Sequence, residues 1–504
     1  MQYTSFISKN GKILIIIFVL ISIFTVRILY SNTPYTNHPD EEIVLGIVNN
    51  MIENNEFDTN WKHAPLSPAF QYDQYNFSAY HYASYLFFTA IKFLATTFSF
   101  TLSNIEIHRL FSALLGLWAG VVLAWIAWKQ LGSFRVTFIV LLLYLVAPLL
   151  IQDSHYARAE SFMTFLSLLV LSFSLQEKNI RYTLASGFII GILTACKFIM
   201  LLMLVLPILQ ILRHEKTLKS FSLSHLIIIV FACLMGIFIG MPYAFFHIEA
   251  YLNGVQYLQN QYATPIPPYG VIEGKSTAFV ILTYFYTTFG LAIWLTAVMG
   301  IYKLFTTKNS YLLTVLITPV LLFFTLFSLQ LVFFERSFSH LVPFVLLLSA
   351  IGTDFVINLL QDYTQNKILI LTGTISLLVL LLFIPATITY RLLFIEMSGA
   401  RKQAIAPLEQ YLLTQYATLD KLSLLLIDSN SLQTIAQVMA TKPIILLRVE
   451  DFLDDFTAKN LKQLQRDYTV ETIGKAESSF PDIISCSLHT YHSPRIHYLL
   501  VSKH

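Results

Sequence analysis

The chain has 504 residues, 56% of them hydrophobic and only 12% charged, with a mean hydropathy of +0.65. Average soluble chains carry about 25% charged residues, so a soluble globular protein is excluded and a polytopic membrane protein is expected. The net charge of +3 gives no basic footprint for nucleic acid, and three widely separated cysteines, Cys196, Cys233 and Cys486, give neither a disulfide framework nor a metal cluster.

The first apolar run, residues 13–30, follows Lys9 and Lys12 and is long enough for a hydrocarbon core of about 30 Å. It lacks a small-residue cleavage site and reads as a retained anchor. Directly after it comes His-Pro-Asp-Glu-Glu at 38–42. Carboxylates at a membrane boundary are costly unless hydrated, paired or functional. Asp40 reads equally well as the cap of a helix over roughly 41–53, with Glu41 and Glu42 favoured by the helix dipole, and as a base.

Eleven further apolar runs follow, at 82–102, 110–128, 136–151, 160–175, 182–196, 198–212, 225–246, 278–302, 311–333, 338–360 and 368–388. If all crossed the membrane, the basic loops around Lys129/Arg135, Lys178/Arg181, Arg213/Lys216/Lys219 and Lys303/Lys308 would face outwards, against the positive-inside rule. Keeping 82–102 on the outer side as an in-plane helix makes all of them cytoplasmic. Its central Lys92 and the polar start Tyr80, His81, Tyr82 and Tyr85 agree. The expected architecture is therefore mainly α. About eleven spans occupy residues 1–395, with juxtamembrane helices in a first outer loop at 31–108 and a second outer loop at 247–277.

Beyond residue 396 the composition changes. Strands are expected over 421–427, 443–449, 483–488 and 496–501, and amphipathic helices over 401–416, 431–440 and 451–467. This reads as a small α/β domain on the outer face without a glycine-rich phosphate loop.

The topology brings several polar groups to one membrane surface. Asp40 and Glu41 follow the first span, and Arg109 opens the run at 110–128. His155, Arg158 and Glu160 lie in a short turn, as do Glu335, Arg336 and His340. Lys197 interrupts nearly thirty apolar residues. Such acids would activate an acceptor hydroxyl, and such cations would hold a phosphate and stabilise it as a leaving group. Hydration of a tight turn would account for Arg158 and Glu160 equally, and an interfacial charge pair for Glu335 and Arg336. The histidines show no metal-ligand spacing.

In this order the motifs resemble the C-type membrane glycosyltransferase superfamily, in particular the bacterial relatives of dolichyl-phosphate-mannose protein mannosyltransferases and the lipid A aminoarabinose transferases. H-P-D-E-E-I-V at 38–44 resembles the first-loop Asp-Glu signature. I-H-R-L-F-S-A-L-L-G at 107–116 resembles the arginine-led helix, and H-Y-A-R-A-E-S-F at 155–162 the Ala-Arg-x-Asp turn, with Glu160 in place of Asp. T-A-C-K-F at 194–198 resembles the lysine-bearing helix pair. E-R-S-F-S-H-L-V-P-F at 335–344 resembles the Arg-Tyr segment ending in proline, without its tyrosine.

The resemblance implies a polyprenyl-phosphate sugar donor, with Asp40 as base, Glu41 its neighbour and Glu160 a second acid. It implies Lys197, Arg336 and Arg109 at the donor phosphate, supported by Arg158, His155, Glu335 and His340. Some relatives bind a divalent metal through two outer loops. The corresponding stretches here, Q-Y-N-F-S-A-Y at 74–80 and Q-N-Q-Y-A-T at 259–264, lack that ligand set, so a metal cofactor stays open. The expected function is transfer of a sugar to a hydroxyl on an outer-face lipid, glycan or protein, in contact with membrane lipids, in a bacterial inner membrane. The alternatives are a transporter or flippase of lipid-linked saccharides and a non-catalytic partner in glycan assembly.

Overall fold

In a computed structural model of the chain, the described residues are 9–32, 39–66, 71–177, 179–214, 223–263 and 276–397, with 425–426, 444–450, 465–477 and 495–502 further on. The fold is a polytopic helical bundle. In chain order its helices begin with α1 (Lys9–Ile28), α2 (Pro39–Asn54), α3 (Ser78–Phe98), α4 (Asn104–Leu131) and α5 (Phe134–Leu145). They continue with α6 (Pro148–His155), α7 (Glu160–Ser174), α8 (Ile180–Cys196), α9 (Val205–His214), α10 (Leu223–Gly240) and α11 (Pro242–Phe246). The last five are α12 (Ile248–Ala263), α13 (Thr277–Thr306), α14 (Ser310–Ser328), α15 (Val342–Tyr363) and α16 (Lys367–Arg391).

Among the described residues seven helices are long and apolar enough to cross a membrane. The α5–α6 pair, bent by 60°, makes an eighth candidate. Three shorter apolar helices, Glu160–Ser174, Ile180–Cys196 and Phe198–Arg213, fall on the remaining expected runs. Helix α3 is not among these candidates. Its sequence starts with Ser, Tyr and His and carries Lys92, whose ammonium reaches back to the Leu102 carbonyl at 3.3 Å. The second outer loop expected at 247–277 contains the sixteen-residue helix α12.

The chain divides into two compact units, 1–260 with 285–329 and 335–389, and 261–284 with 330–334 and 390–504. In the first unit, α4 packs against α1, α5, α6 and α7, and α8 packs against α7 and α10. The α8–α10 contact is backbone to backbone. Gly191 on α8 meets Gly236 on α10, Gly187 meets the Ile229 backbone and Gly240 the Ala195 methyl, and the glycine spacing on each helix is the small-xxx-small pattern that lets membrane helices approach closely. A Cβ at Gly191 would fall on the Cys233 carbonyl and 2.8 Å from the Gly236 Cα. Gly191→Ala is therefore expected to destabilise the detergent-solubilised protein, by ~1–3 kcal/mol as for an overpacked site. At Gly373 on α16 the nearest obstacle is a mobile Leu360 methyl at 3.3 Å. There alanine is expected to be neutral or to stabilise through its helix propensity, by up to ~1 kcal/mol. Thermal unfolding of the two variants checks both signs.

The second unit contains a four-stranded sheet in the order β1-β2-β4-β3, built from β1 (Leu425–Leu426), β2 (Ile444–Glu450), β3 (Thr469–Glu477) and β4 (Arg495–Ser502). β1 and β2 are parallel and the other pairings antiparallel, with a register shift between Thr472 and Gly474. Strand β3 was not expected from the sequence. The helices expected over 401–416, 431–440 and most of 451–467, and the strand over 483–488, lie outside the described residues.

Candidate active site

Helix α2 starts at Pro39, whose fixed φ suits the first helical position. Asp40 thus stands inside the first turn rather than at the cap. Asp40 and Glu41 are consecutive, so they project about 100° apart around the helix axis and meet different partners.

Glu41 meets Arg109. A capping box at Ser103 and Glu106 starts α4 just before Arg109. The Arg109 Nε and Nη2 donate to the two Glu41 oxygens at 2.8 and 2.9 Å, a parallel fork, and Nη1 donates to the Ser31 carbonyl at 3.0 Å. The Ala157 amide donates to Glu41 Oε1 at 3.0 Å, tying the 156–159 turn to α2. Sequence reasoning groups Arg109 with the donor-phosphate cations. Its fork is instead filled by Glu41, because a carboxylate buried this deeply needs both nitrogens.

A second set forms around Glu160, the first residue of α7, where the helix dipole favours a negative charge. Its Oε1 accepts from Lys197 Nζ at 2.9 Å, and its Oε2 lies 3.5 Å from Arg158 Nε. Arg158 is also held by Asp153, an acid the sequence reading did not single out. Burial lowers the Arg158 pKa from its ordinary value, while Glu160, Asp40 and Glu335 act in the opposite direction.

Lys197 is placed by a break in the helix path. It is extended (φ −146°, ψ 125°) between α8 and the 3-10 turn Phe198–Leu204. The Cys196 carbonyl accepts from the Phe77 amide of the first outer loop at 2.9 Å. The Phe77 ring lies 5.2 Å beneath the lysine ammonium, a cation–π contact.

Asp40 meets Arg336, on the 3-10 turn Glu335–Leu341, with Nη1 2.8 Å from Oδ2. His340, on the same turn, is buried and sits edge-on to Phe323 with ring centroids 4.6 Å apart. His155 and Glu335 are buried as well. Among the described residues no group of three or more His, Cys, Asp or Glu is placed to hold a metal. The residues of 74–80 do not supply such a set.

Exposure sorts the cluster. The side chains of Arg336, Lys197 and Asp40 are 18%, 16% and 11% exposed, whereas those of Glu41, Arg109, Asp153, Arg158 and Glu160 are at or below 1%. Two cations and one carboxylate of the cluster are thus partly exposed, and the paired charges around them are buried. Solved structures resemble the chain over 98% of its length. They include ArnT from Cupriavidus metallidurans bound to undecaprenyl phosphate, at 13% identity, and the same protein in the apo state, at 11%. Each of these two has a TM-score of 0.53 and covers 98% of both chains.

The chain has the ArnT fold.

That agrees with the fold implied by the sequence motifs. No family model and no curated protein matches the sequence. At this identity the likeness to ArnT is one of fold, and the chemistry has to be argued from the residues of this chain.

Proposed function

We propose that the chain is a membrane glycosyltransferase that moves a sugar from a polyprenyl-phosphate carrier to a hydroxyl acceptor at the outer face. The observation that carries this reading is the partial exposure of Asp40, Arg336 and Lys197 against a buried set of paired charges. The ArnT fold supports it, since one ArnT structure holds undecaprenyl phosphate.

In this reading Lys197 and Arg336 take the donor phosphate, and Asp40 takes the acceptor proton. The acceptor oxygen then attacks the anomeric carbon as its bond to the phosphate oxygen breaks. The phosphate leaves with its charge neutralised by the two cations, so strong acid assistance is unnecessary. Arg336 is ion-paired with Asp40. A phosphate that draws Arg336 away would therefore release the base, which orders donor before acceptor. Glu160 and Arg158 set the position of Lys197, and Arg109 holds Glu41.

The test is the lipid and glycan profile of cells with the wild-type chain, with Asp40→Asn and without the protein. One glycan or lipid modification should vanish in both deficient strains. A flippase would instead move lipid-linked saccharide across vesicles of the purified protein with no release of undecaprenyl phosphate, and that outcome would replace the reading.

Arg336→Lys is expected to weaken undecaprenyl phosphate binding about tenfold, because lysine cannot reproduce a planar fork on phosphate oxygens. Lys197→Met should weaken it at least as much, measured by titration of the purified protein. Undiminished binding in the double variant would return both residues to a structural role.

Sidedness is checked by cysteine labelling in a background free of native cysteines. A cysteine at Gln176 should react only with membrane-permeant maleimides, and one at Asn260 with impermeant ones. The opposite pattern would put 82–102 through the membrane and separate the site residues.

A further inference from the structure

Helix α1 carries one arginine inside its apolar sequence, Arg27. An arginine near the end of a span ordinarily extends its head group to the interface. Arg27 is instead completely buried, and among the described residues it forms no ion pair with a carboxylate. Desolvating a cation in this way is costly unless well-placed acceptors replace the lost water.

What it holds is the break between α5 and α6. Pro148 has no N–H, so the Tyr144 carbonyl four residues earlier loses its helical donor. Arg27 Nη2 supplies one at 3.3 Å, and the guanidinium lies over the Tyr144 ring, 4.5 Å from its centroid. Nη1 turns back to the Ile23 carbonyl at 3.1 Å, and Nε donates to Ser154 Oγ at 3.2 Å. Ser154 in turn bonds the Leu150 carbonyl at 2.6 Å and lies 3.2 Å from Ser161 Oγ on α7. The approach requires Gly116 on α4, where any Cβ would come within 2.9 Å of the Arg27 Nε and Cδ.

Ser154 adjoins Asp153, which grips Arg158, and stands three residues before Ala157, whose amide reaches Glu41. We propose that Arg27 is a positioning residue. By capping the carbonyl freed at Pro148 and gripping Ser154, it fixes the 152–160 turn so that Ala157 meets Glu41 and Arg158 meets Glu160. The turn geometry stands on its own; the effect on turnover rests on the glycosyltransferase reading. Three separate acceptors have to be reached at once, which a guanidinium can do and an ammonium cannot.

The experiment compares wild type, Arg27→Lys and Ser154→Ala, all full length in detergent. Amide hydrogen exchange over residues 156–160 is expected to accelerate at least tenfold in Arg27→Lys and in Ser154→Ala. Turnover, read as release of undecaprenyl phosphate, should fall tenfold or more in both. Binding of undecaprenyl phosphate should stay within twofold, since Lys197 and Arg336 are untouched. The double variant should be no worse than the worse single one, because both act through one contact.

Unchanged exchange in Arg27→Lys would overturn the proposal, and so would full turnover in that variant, since charge alone would then suffice. Weakened phosphate binding with turnover retained at saturation would overturn it too, by making Arg27 a donor contact. If the wild type releases no undecaprenyl phosphate at all, the glycosyltransferase reading fails, and the exchange measurement still decides the role of Arg27.

Discussion

Asp40→Asn is expected to lower transfer by ~10²–10⁴-fold, the usual contribution of a positioned base, with the protein still folded. Asparagine matches aspartate in size and can still approach Arg336, but it cannot take a proton. Asp40 stands inside the first turn of α2, and asparagine keeps a side-chain oxygen that can accept a hydrogen bond there. The Arg336 guanidinium loses its anionic partner at 2.8 Å. The donor phosphate then no longer competes with the Asp40 carboxylate for Arg336, so undecaprenyl phosphate should bind as well as before or more tightly. Lower turnover with tighter donor binding is a combination that simple misfolding would not give. Near-normal turnover in Asp40→Asn would remove the base from the scheme and leave Asp40 as a partner of Arg336 only.

The second large effect is on stability. Arg109→Leu leaves Glu41 buried and facing a hydrocarbon side chain, and removing one member of a buried pair typically costs ~3–5 kcal/mol. The Ala157 amide is the one hydrogen bond of Glu41 described above that remains. Replacing both partners with leucine should recover most of the loss, since a buried pair and an apolar pair of similar volume are close in energy. Thermal unfolding of the two single variants and the double variant gives the coupling directly. If Arg109→Leu unfolds like the wild type while donor binding collapses, Arg109 belongs with Lys197 and Arg336 at the phosphate.

The bundle is legible because span-length apolar runs and the sign of the intervening loops are both carried by local sequence. Lys197 is legible because a charge within apolar sequence is conspicuous, and the structure finds it at a helix break. The pairing of its neighbours is not. Glu41 and Arg109 are 68 residues apart, and no pattern short of the fold brings them together. Asp153 looks like one more polar residue before a turn until the grip on Arg158 is seen. Arg27 passes for an interfacial anchor, since only the carbonyl freed at Pro148, more than a hundred residues away, gives it a buried task. Strand β3 was missed because Thr-Val-Glu-Thr-Ile-Gly-Lys-Ala-Glu is polar at most positions, and its strand character comes from pairing with β4 at the edge of the sheet. The start of α2 lies slightly before the helix expected over roughly 41–53, because Pro39 already fits the first turn, and this removes the cap reading of Asp40.

The glycine contact between α8 and α10 bears on how the chain can change over time. Gly187, Gly191 and Gly236 have a Cβ volume already filled by the opposite backbone, so every side chain is excluded there whatever its polarity. A saturation library selected for folded protein should show those three columns stripped of all substitutions, including alanine. Lipid-facing positions such as Phe231 and Phe238 on the same helix should accept almost any apolar residue. Lys197 follows directly on α8, so a drift in this seam would move the ammonium before it unfolded anything. Selection on activity should therefore be stricter at Gly191 and Gly236 than selection on expression alone.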